Sequence, residues 1–263
     1  MKLFNDKTLR IIKKIGILLF WCVILCGVLV SLIYVNRNLD AKEIEKVNIK
    51  ILPENVQFFN RQKVLEEIRK TGLSRNIVGS TTDEINADNM ELKMLSNRYI
   101  RNAKVYHDMK GNLNIKIEQR EPLLRVYRFD NSSFYIDKTG IKVPLSMQFT
   151  SRVLVANGNI FERYKNHDSV YSYIGHQLYK IASYVDKHEF WKAQIEQIFV
   201  TRDNEFILIP KVGNHIILFG NADEVDEKFE KLFVFYKEGL NRVGWNKYSS
   251  INIKYKGQVI CKK

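Results

Sequence analysis

Asp137-Lys138-Thr139-Gly140 is the stretch that most resembles a reactive site. Asp-Lys-Thr-Gly-Thr is the loop in which P-type ATPases attack a nucleotide phosphate with the aspartate, but Ile141 stands here in place of the second threonine. An Asp-x-x-Gly run between two apolar segments reads instead as a hairpin turn. The five histidines, His107, His167, His176, His188 and His215, form no H-E-x-x-H pair, since His188-Glu189 runs on into Phe190-Trp191. No zinc site is expected from them. Neither a G-x-S-x-G elbow nor a G-x-x-x-x-G-K-[ST] loop occurs. Cys261, beside Lys262 and Lys263, is the one thiol outside the apolar segment that holds Cys22 and Cys26. No intramolecular disulfide framework can form outside that segment, and Cys261 reads as incidental rather than nucleophilic. The carboxylates Asp223, Glu224, Asp226 and Glu227 sit where a helix begins, which its dipole favours. Asn131-Ser132-Ser133 is a glycosylation sequon in form only, because nothing else suggests a eukaryotic secretory pathway. The chain is therefore expected to hold no catalytic residue, metal or cofactor.

The elements around these residues begin with an anchor. Ile15 to Val35 carry no charge. As a helix, such a stretch of about 21 residues reaches roughly 31 Å, the thickness of a bilayer's hydrocarbon core. Ser31-Leu32-Ile33-Tyr34 supplies no small-residue cleavage site, and Leu25 before Cys26 is too bulky for a lipoprotein signal. Lys2, Lys7, Arg10, Lys13 and Lys14 against Asp6 give the first 35 residues a net +4, while Arg37 to Lys46 balance to zero. The positive-inside rule then places the N-terminus in the cytoplasm and residues 36–263 outside it. An exported region has no access to cytoplasmic nucleotides or DNA. The +9 left to it from the total of +13 reads first as a soluble basic surface, with attraction to anionic lipid or an acidic polymer such as a cell wall as the functional alternative. No Arg/Lys cluster alternates with aromatics as a nucleic-acid groove requires, so no nucleic-acid partner is expected.

Past a connector (36–43), Val47, Ile49 and Ile51 alternate with polar residues as a strand up to Pro53. Val64, Leu65 and Ile68 mark a helix stopped by Gly72, and Leu92, Leu95 and Tyr99 a second one capped by Asp88 or Asn89. A short strand at Val105, a Lys110-Gly111-Asn112 turn and an alternating Leu113–Ile117 strand complete a strand, helix, helix, strand, strand order over 44–120. From 121 to 263 strands dominate. Hairpins are expected over 124–129, 134–136, 141–143 and 153–155, the last followed by an Asn157-Gly158 turn. A helix through Val170, Ile174, Leu178, Ile181 and Val185 precedes strands at 195–200, 206–209 and 216–219. A last helix carries Val225, Phe229, Leu232, Tyr236 and Leu240 behind an Asn221/Glu224 capping box. Ile251, Ile253 and Tyr255 alternate with Asn252, Lys254 and Lys256 as a closing strand whose edge no helix covers.

Tyr99-Ile100-Arg101-Asn102-Ala103-Lys104-Val105, Gly111 to Ile117, and Gln119-Arg120-Glu121-Pro122-Leu123-Leu124-Arg125-Val126 resemble the end of the POTRA domain of FtsQ/DivIB proteins. Phe134 to Gly140 with Val143-Pro144-Leu145 resembles the hairpin that follows it, and Ile251 to Val259 the family's closing strand. The resemblance runs in order through nearly the whole chain. It implies an α+β protein with a cytoplasmic tail (1–14), a transmembrane helix (15–35), a βααββ POTRA domain (44–120) and a mostly antiparallel β domain with two or more helices (121–263). It also implies a non-catalytic divisome scaffold in the inner membrane at the division septum, with FtsB- and FtsL-type partners. By that resemblance Lys254, Tyr255 and Gly257 align with partner-contacting positions of the closing strand, and Ile251 and Ile253 join them as candidate partner-binding residues. An uncovered strand can be completed by a partner strand through main-chain hydrogen bonds. For Ile251 and Ile253 core packing is as good a reading. A membrane-tethered wall enzyme using Cys261 or a histidine, and a POTRA-type envelope assembly component, remain the alternatives.

Overall fold

A computed structural model describes residues 6–40, 42–70, 77–164 and 168–263; Gly72 and His167 lie outside the described residues. Helix α1 (Asp6–Asp40) contains, in Lys14–Tyr34, a stretch long and apolar enough to cross a membrane. Within it the Ser31 hydroxyl donates to the Val28 carbonyl at 2.8 Å, so the polar group is satisfied inside the helix.

The folded residues gather into two compact units. The first takes in described residues through Lys50 with Gln62–Lys93 and Lys104–Lys116; the second has Ile51–Arg61, Met94–Ala103 and Ile117–Lys263. Strand β1 (Val47–Leu52), helices α2 (Arg61–Lys70) and α3 (Ala87–Leu95), and strands β2 (Ile100–His107) and β3 (Leu113–Gln119) follow in that order, with the sheet running β1-β3-β2. At the β2–β3 turn the Asp108 carboxylate accepts the Lys110 and Asn112 amides at 2.9 Å each, leaving Gly111 at φ +89°. Helix α3 departs from expectation in two ways. Its buried row is Met90 and Met94, four apart, while Leu92 is 67% exposed and Tyr99 lies beyond the helix. Its cap is Asn86, whose Oδ1 accepts the Asn89 amide at 2.8 Å, so neither Asp88 nor Asn89 does that work. Asn86→Ala is expected to destabilise the first unit by about 1 kcal/mol. Asp88→Ala is expected to change stability far less in the same thermal unfolding measurement.

The second unit is built on a nine-stranded sheet. It comprises β4 (Pro122–Tyr127), β5 (Ser133–Asp137), β6 (Lys142–Pro144), β7 (Leu154–Gly158), β8 (Ile195–Val200), β9 (Phe206–Pro210), β10 (Ile216–Gly220), β11 (Ser250–Asn252) and β12 (Ile260–Lys262). Their spatial order is β12-β11-β10-β9-β8-β7-β4-β5-β6. Neighbours are antiparallel except at β4/β7, β7/β8 and β10/β11. The expected 153–158 hairpin is therefore absent. Asn157 and Gly158 lie inside β7, paired in parallel with Phe199 and Val200. The reason is steric: a Cβ on Gly158 would stand 2.2 Å from the Val200 carbonyl, so glycine lets the two backbones approach where a turn was expected.

Alternate residues of most strands, among them Leu124, Val126, Ile136, Ala156, Ile198, Leu208, Ile217 and Ile251, bury one face of the sheet in the main core. Helix α4 (Tyr173–Lys187) adds Leu178, Ile181 and Val185, and its N-terminus is capped by Ser172 Oγ, which accepts the Gly175 amide at 2.9 Å. A short helix, α5 (Glu189–Gln194), adds Trp191. Helix α6 (Val225–Val234) continues into a π-helical turn, Phe235–Leu240, and Phe229, Leu232, Tyr236 and Leu240 are all buried. No capping box forms at α6. Glu224 is a left-handed N-cap (φ +52°) without a side-chain bond, and the Asn221 side chain is held by Asp223 and by Lys228 Nζ at 2.9 Å.

Candidate functional site

The two ends of the large sheet are finished differently. At β6 the chain closes its own edge: the Lys142 amide donates to the Asp168 carbonyl at 2.9 Å, the Val170 amide to the Gly140 carbonyl at 3.0 Å, and Ile141 bridges Ser169. Pro144 ends that strand, as suits an edge that is not extended. At the other end no further strand lies beyond β12 among the described residues.

This end corrects the expected geometry. Ser250–Asn252 is not an edge. β10 runs beside it on one side (Ile217↔Ile251), and β12 folds back on the other (Ile251↔Cys261). The fold-back is made by the exposed Tyr255–Gln258 turn, in which Gly257 takes φ +66°. The open edge thus belongs to Ile260–Lys262. Ile260 is 48% exposed, while Cys261 points inward and packs against the core.

Of the residues singled out from sequence, Ile251 and Ile253 are fully buried, so their side chains serve the core. Lys254 is half-buried and sets Nζ 3.0 Å from both carboxylate oxygens of Glu205. Tyr255 and Gly257 are exposed on the turn. With Lys256 they wall a cleft of about 430 Å³ against α6, opposite Glu227, Lys231 and Val234. Lys231 ties the turn to the helix, its Nζ donating to the Ile253 carbonyl at 3.0 Å and to the Tyr255 carbonyl. Burial lowers the Lys231 ammonium below the usual lysine value, and Glu224 and Glu227 work against that shift. Lys256 faces the same carboxylates at 3.5 and 3.8 Å, but all three groups are exposed and the pairs are worth little. The structure therefore brings Lys254, Tyr255 and Gly257 to one surface and withdraws Ile251 and Ile253 from it. That the end strand is Ile260–Lys262 was not expected; the signal for it was Lys256-Gly257, a turn pair placed inside the expected strand.

The aspartate considered for chemistry is engaged in its own turn. Asp137 is 1% exposed, accepts the Thr139 amide, the Thr139 hydroxyl and the Ile141 amide at 2.7–2.8 Å, and pairs with Arg120 at 2.9 Å. Its carboxylate shapes the β5–β6 hairpin. Burial pushes the Cys261 thiol up, the wrong direction for a nucleophile. His107 ends β2, His176 lies on α4, His188 separates α4 from α5, and His215 precedes β10. Among the described residues no three His, Cys, Asp or Glu side chains gather in a group that could hold a metal ion.

A membrane-length apolar helix, a small βααββ unit and a nine-stranded mixed sheet define a POTRA-bearing α+β protein. The profile of the POTRA-like domain matches residues 42–118, and that of FtsQ/DivIB, C-terminal related, matches residues 121–262, more than half of the chain. No curated protein matches it. The chain belongs to the FtsQ/DivIB family, whose members are non-enzymatic cell-division proteins. That family and the one apolar helix fit a single-pass membrane protein.

Proposed function

We propose that this protein is a non-catalytic divisome scaffold, held in the inner membrane with its N-terminus in the cytoplasm. Its extracytoplasmic units bind FtsB- and FtsL-type partners at the septum, and a partner strand joins the sheet at β12. The observation carrying this reading is the contrast between the edges: β6 is sealed by residues 168–170, whereas β12 presents Ile260 and Lys262 unextended. Long, flat edges invite indiscriminate pairing; a three-residue edge that carries Lys262 and runs into Lys263 accepts a strand only where side chains also fit. Tyr255 and the cleft beside α6 supply that second contact.

Ile260→Asp and Tyr255→Glu alter exposed side chains, so circular dichroism and thermal unfolding are expected to stay at wild-type values. Capture of FtsB- and FtsL-type proteins from membranes is expected to fall at least tenfold, and cells carrying only the double variant to filament. Undiminished capture would remove the edge mechanism. A fluorescent fusion spread around the envelope, without septal enrichment, would remove the division role itself.

A further inference from the structure

The turn that feeds β10 closes over a buried imidazole. His215 is 2% exposed, and its Nε2 lies 2.7 Å from the Tyr236 hydroxyl. Tyr236 stands edge-on to the ring at 89°, on the π-helical turn, and packs on Trp245 at 5.2 Å between centroids. On the other side Gly213, at φ +93°, backs onto the imidazole so closely that a Cβ there would meet Nδ1 at 2.7 Å. Nδ1 itself has no hydrogen-bond partner. This ring adjoins the docking end of the sheet through a short series of bonds. The next residue, Ile216, donates its amide to the Ser249 carbonyl at 3.1 Å, and the Ser249 amide donates to the Lys262 carbonyl on β12 at 2.8 Å.

We propose that this clasp is an acid-sensitive latch: a proton on His215 loosens the Trp245–Ser249 segment and with it the pairing of β11 and β12. A neutral imidazole is suited to the site, with one nitrogen bonded to the phenol and the other enclosed beside the Gly213 backbone. An imidazolium has two N–H donors, and beyond the phenol the site offers it only the Trp245 carbonyl, too poorly aligned to offset the burial of a charge. The groups against the ring are neutral: the Tyr236 phenol, the Gly213 backbone and the Trp245 carbonyl. Gln194 approaches the phenol and donates to the Val212 carbonyl at 3.1 Å. The charged side chains of the surrounding elements are exposed: Lys211 on the turn, Lys192 on α5, Lys237 and Glu238 on the π turn, and Lys247 before β11.

Burial holds His215 below the ordinary histidine value, with the Trp245 carbonyl opposing. Between that depressed value and the unfolded one of about 6.5 the native state binds fewer protons than the unfolded state. The clasp is therefore at full strength above that pH and weakens as pH falls. Its bearing on docking rests on the edge reading above, but the latch can be tested with no partner present.

Amide hydrogen exchange of the full chain in detergent micelles, at pH 7.5 and 5.5 and normalised to intrinsic rates, provides the test. Protection of residues 215–218 and 249–262 is expected to drop severalfold at the lower pH, with about tenfold as the ceiling for one histidine whose unfolded pKa is about 6.5, while residues 122–137 keep theirs. In His215→Gln the two pH values are expected to give the same protection. Equal protection of 249–262 in the wild type at both pH values would overturn the latch. So would a loss shared equally by 122–137, a comparison that stands even where the variant does not fold.

Discussion

Lys142→Ala is expected to lower the unfolding free energy by about 3–5 kcal/mol, because it strands a buried carboxylate. The Lys142 side chain is fully buried, with Nζ 2.8 Å from Glu162 Oε1, 2.9 Å from the Arg163 carbonyl, 3.4 Å from Asp168 Oδ2 and 4.1 Å from the centre of the Tyr171 ring. Glu162 in turn accepts the Ser172 amide at 3.0 Å and the Ser172 hydroxyl, and Ser172 caps α4. One ammonium thus secures β6, the segment that seals it and the start of a core helix. Removing the lysine leaves Glu162 charged and enclosed. Lys142→Met combined with Glu162→Gln removes both charges and keeps an acceptor for Ser172, so it is expected to be milder than the single change. Urea unfolding followed by circular dichroism measures both. A loss below about 1 kcal/mol for Lys142→Ala would mean that water reaches Glu162 and that the pair is not truly dry.

Gly158→Ala is expected to cost about 3 kcal/mol or more, combining left-handed backbone strain with a clash that no side chain can relieve. The glycine holds φ +102°, and a methyl there would press on the Val200 carbonyl and, at 2.9 Å, on the Val200 amide. Both are main-chain atoms of β8. The Asn159 amide bond to Val200, 2.9 Å long, would open with them. Gly257→Ala is the control. Its φ is also positive, but nothing lies within 4 Å of the added atom, so about 1 kcal/mol is expected. The melting temperature of the second unit should separate the two variants clearly.

Much of this architecture could be read from residue order. Strands β8, β9 and β10 lie where alternation in Ile195–Val200, Phe206–Ile209 and Ile216–Phe219 puts them, and α4 follows its row of Leu178, Ile181 and Val185. Alternation says which face of a strand is buried, not which strand lies beside it. Val153–Val155 therefore looked like one arm of a hairpin, although β7 runs parallel to β4 and β8. The last helix carried its own clue. Leu232, Tyr236 and Leu240 are spaced four apart, which drifts off a 3.6-residue period, and the π turn at Phe235–Leu240 keeps all three buried.

The β11–β12 end of the sheet was misread as one closing strand. Ile251 and Ile253 show the alternation of a buried strand, and Tyr255 extends the pattern beyond the point where the chain turns. A three-residue strand, a turn and another three-residue strand are shorter than the window in which a period of two can be told from chance. The His215–Tyr236 contact joins residues far apart in the chain, and neither has a motif around it.

A sheet that is sealed at β6 can grow in one direction only. Among the described residues, room for a further strand in that sheet is then left at β12 alone. Even two copies meeting edge to edge would form a closed pair, because the far ends offer nothing for a third to join. Filaments need a donor face and an acceptor face on every subunit, and the large sheet has given one of them up, so it offers no route to an open-ended polymer.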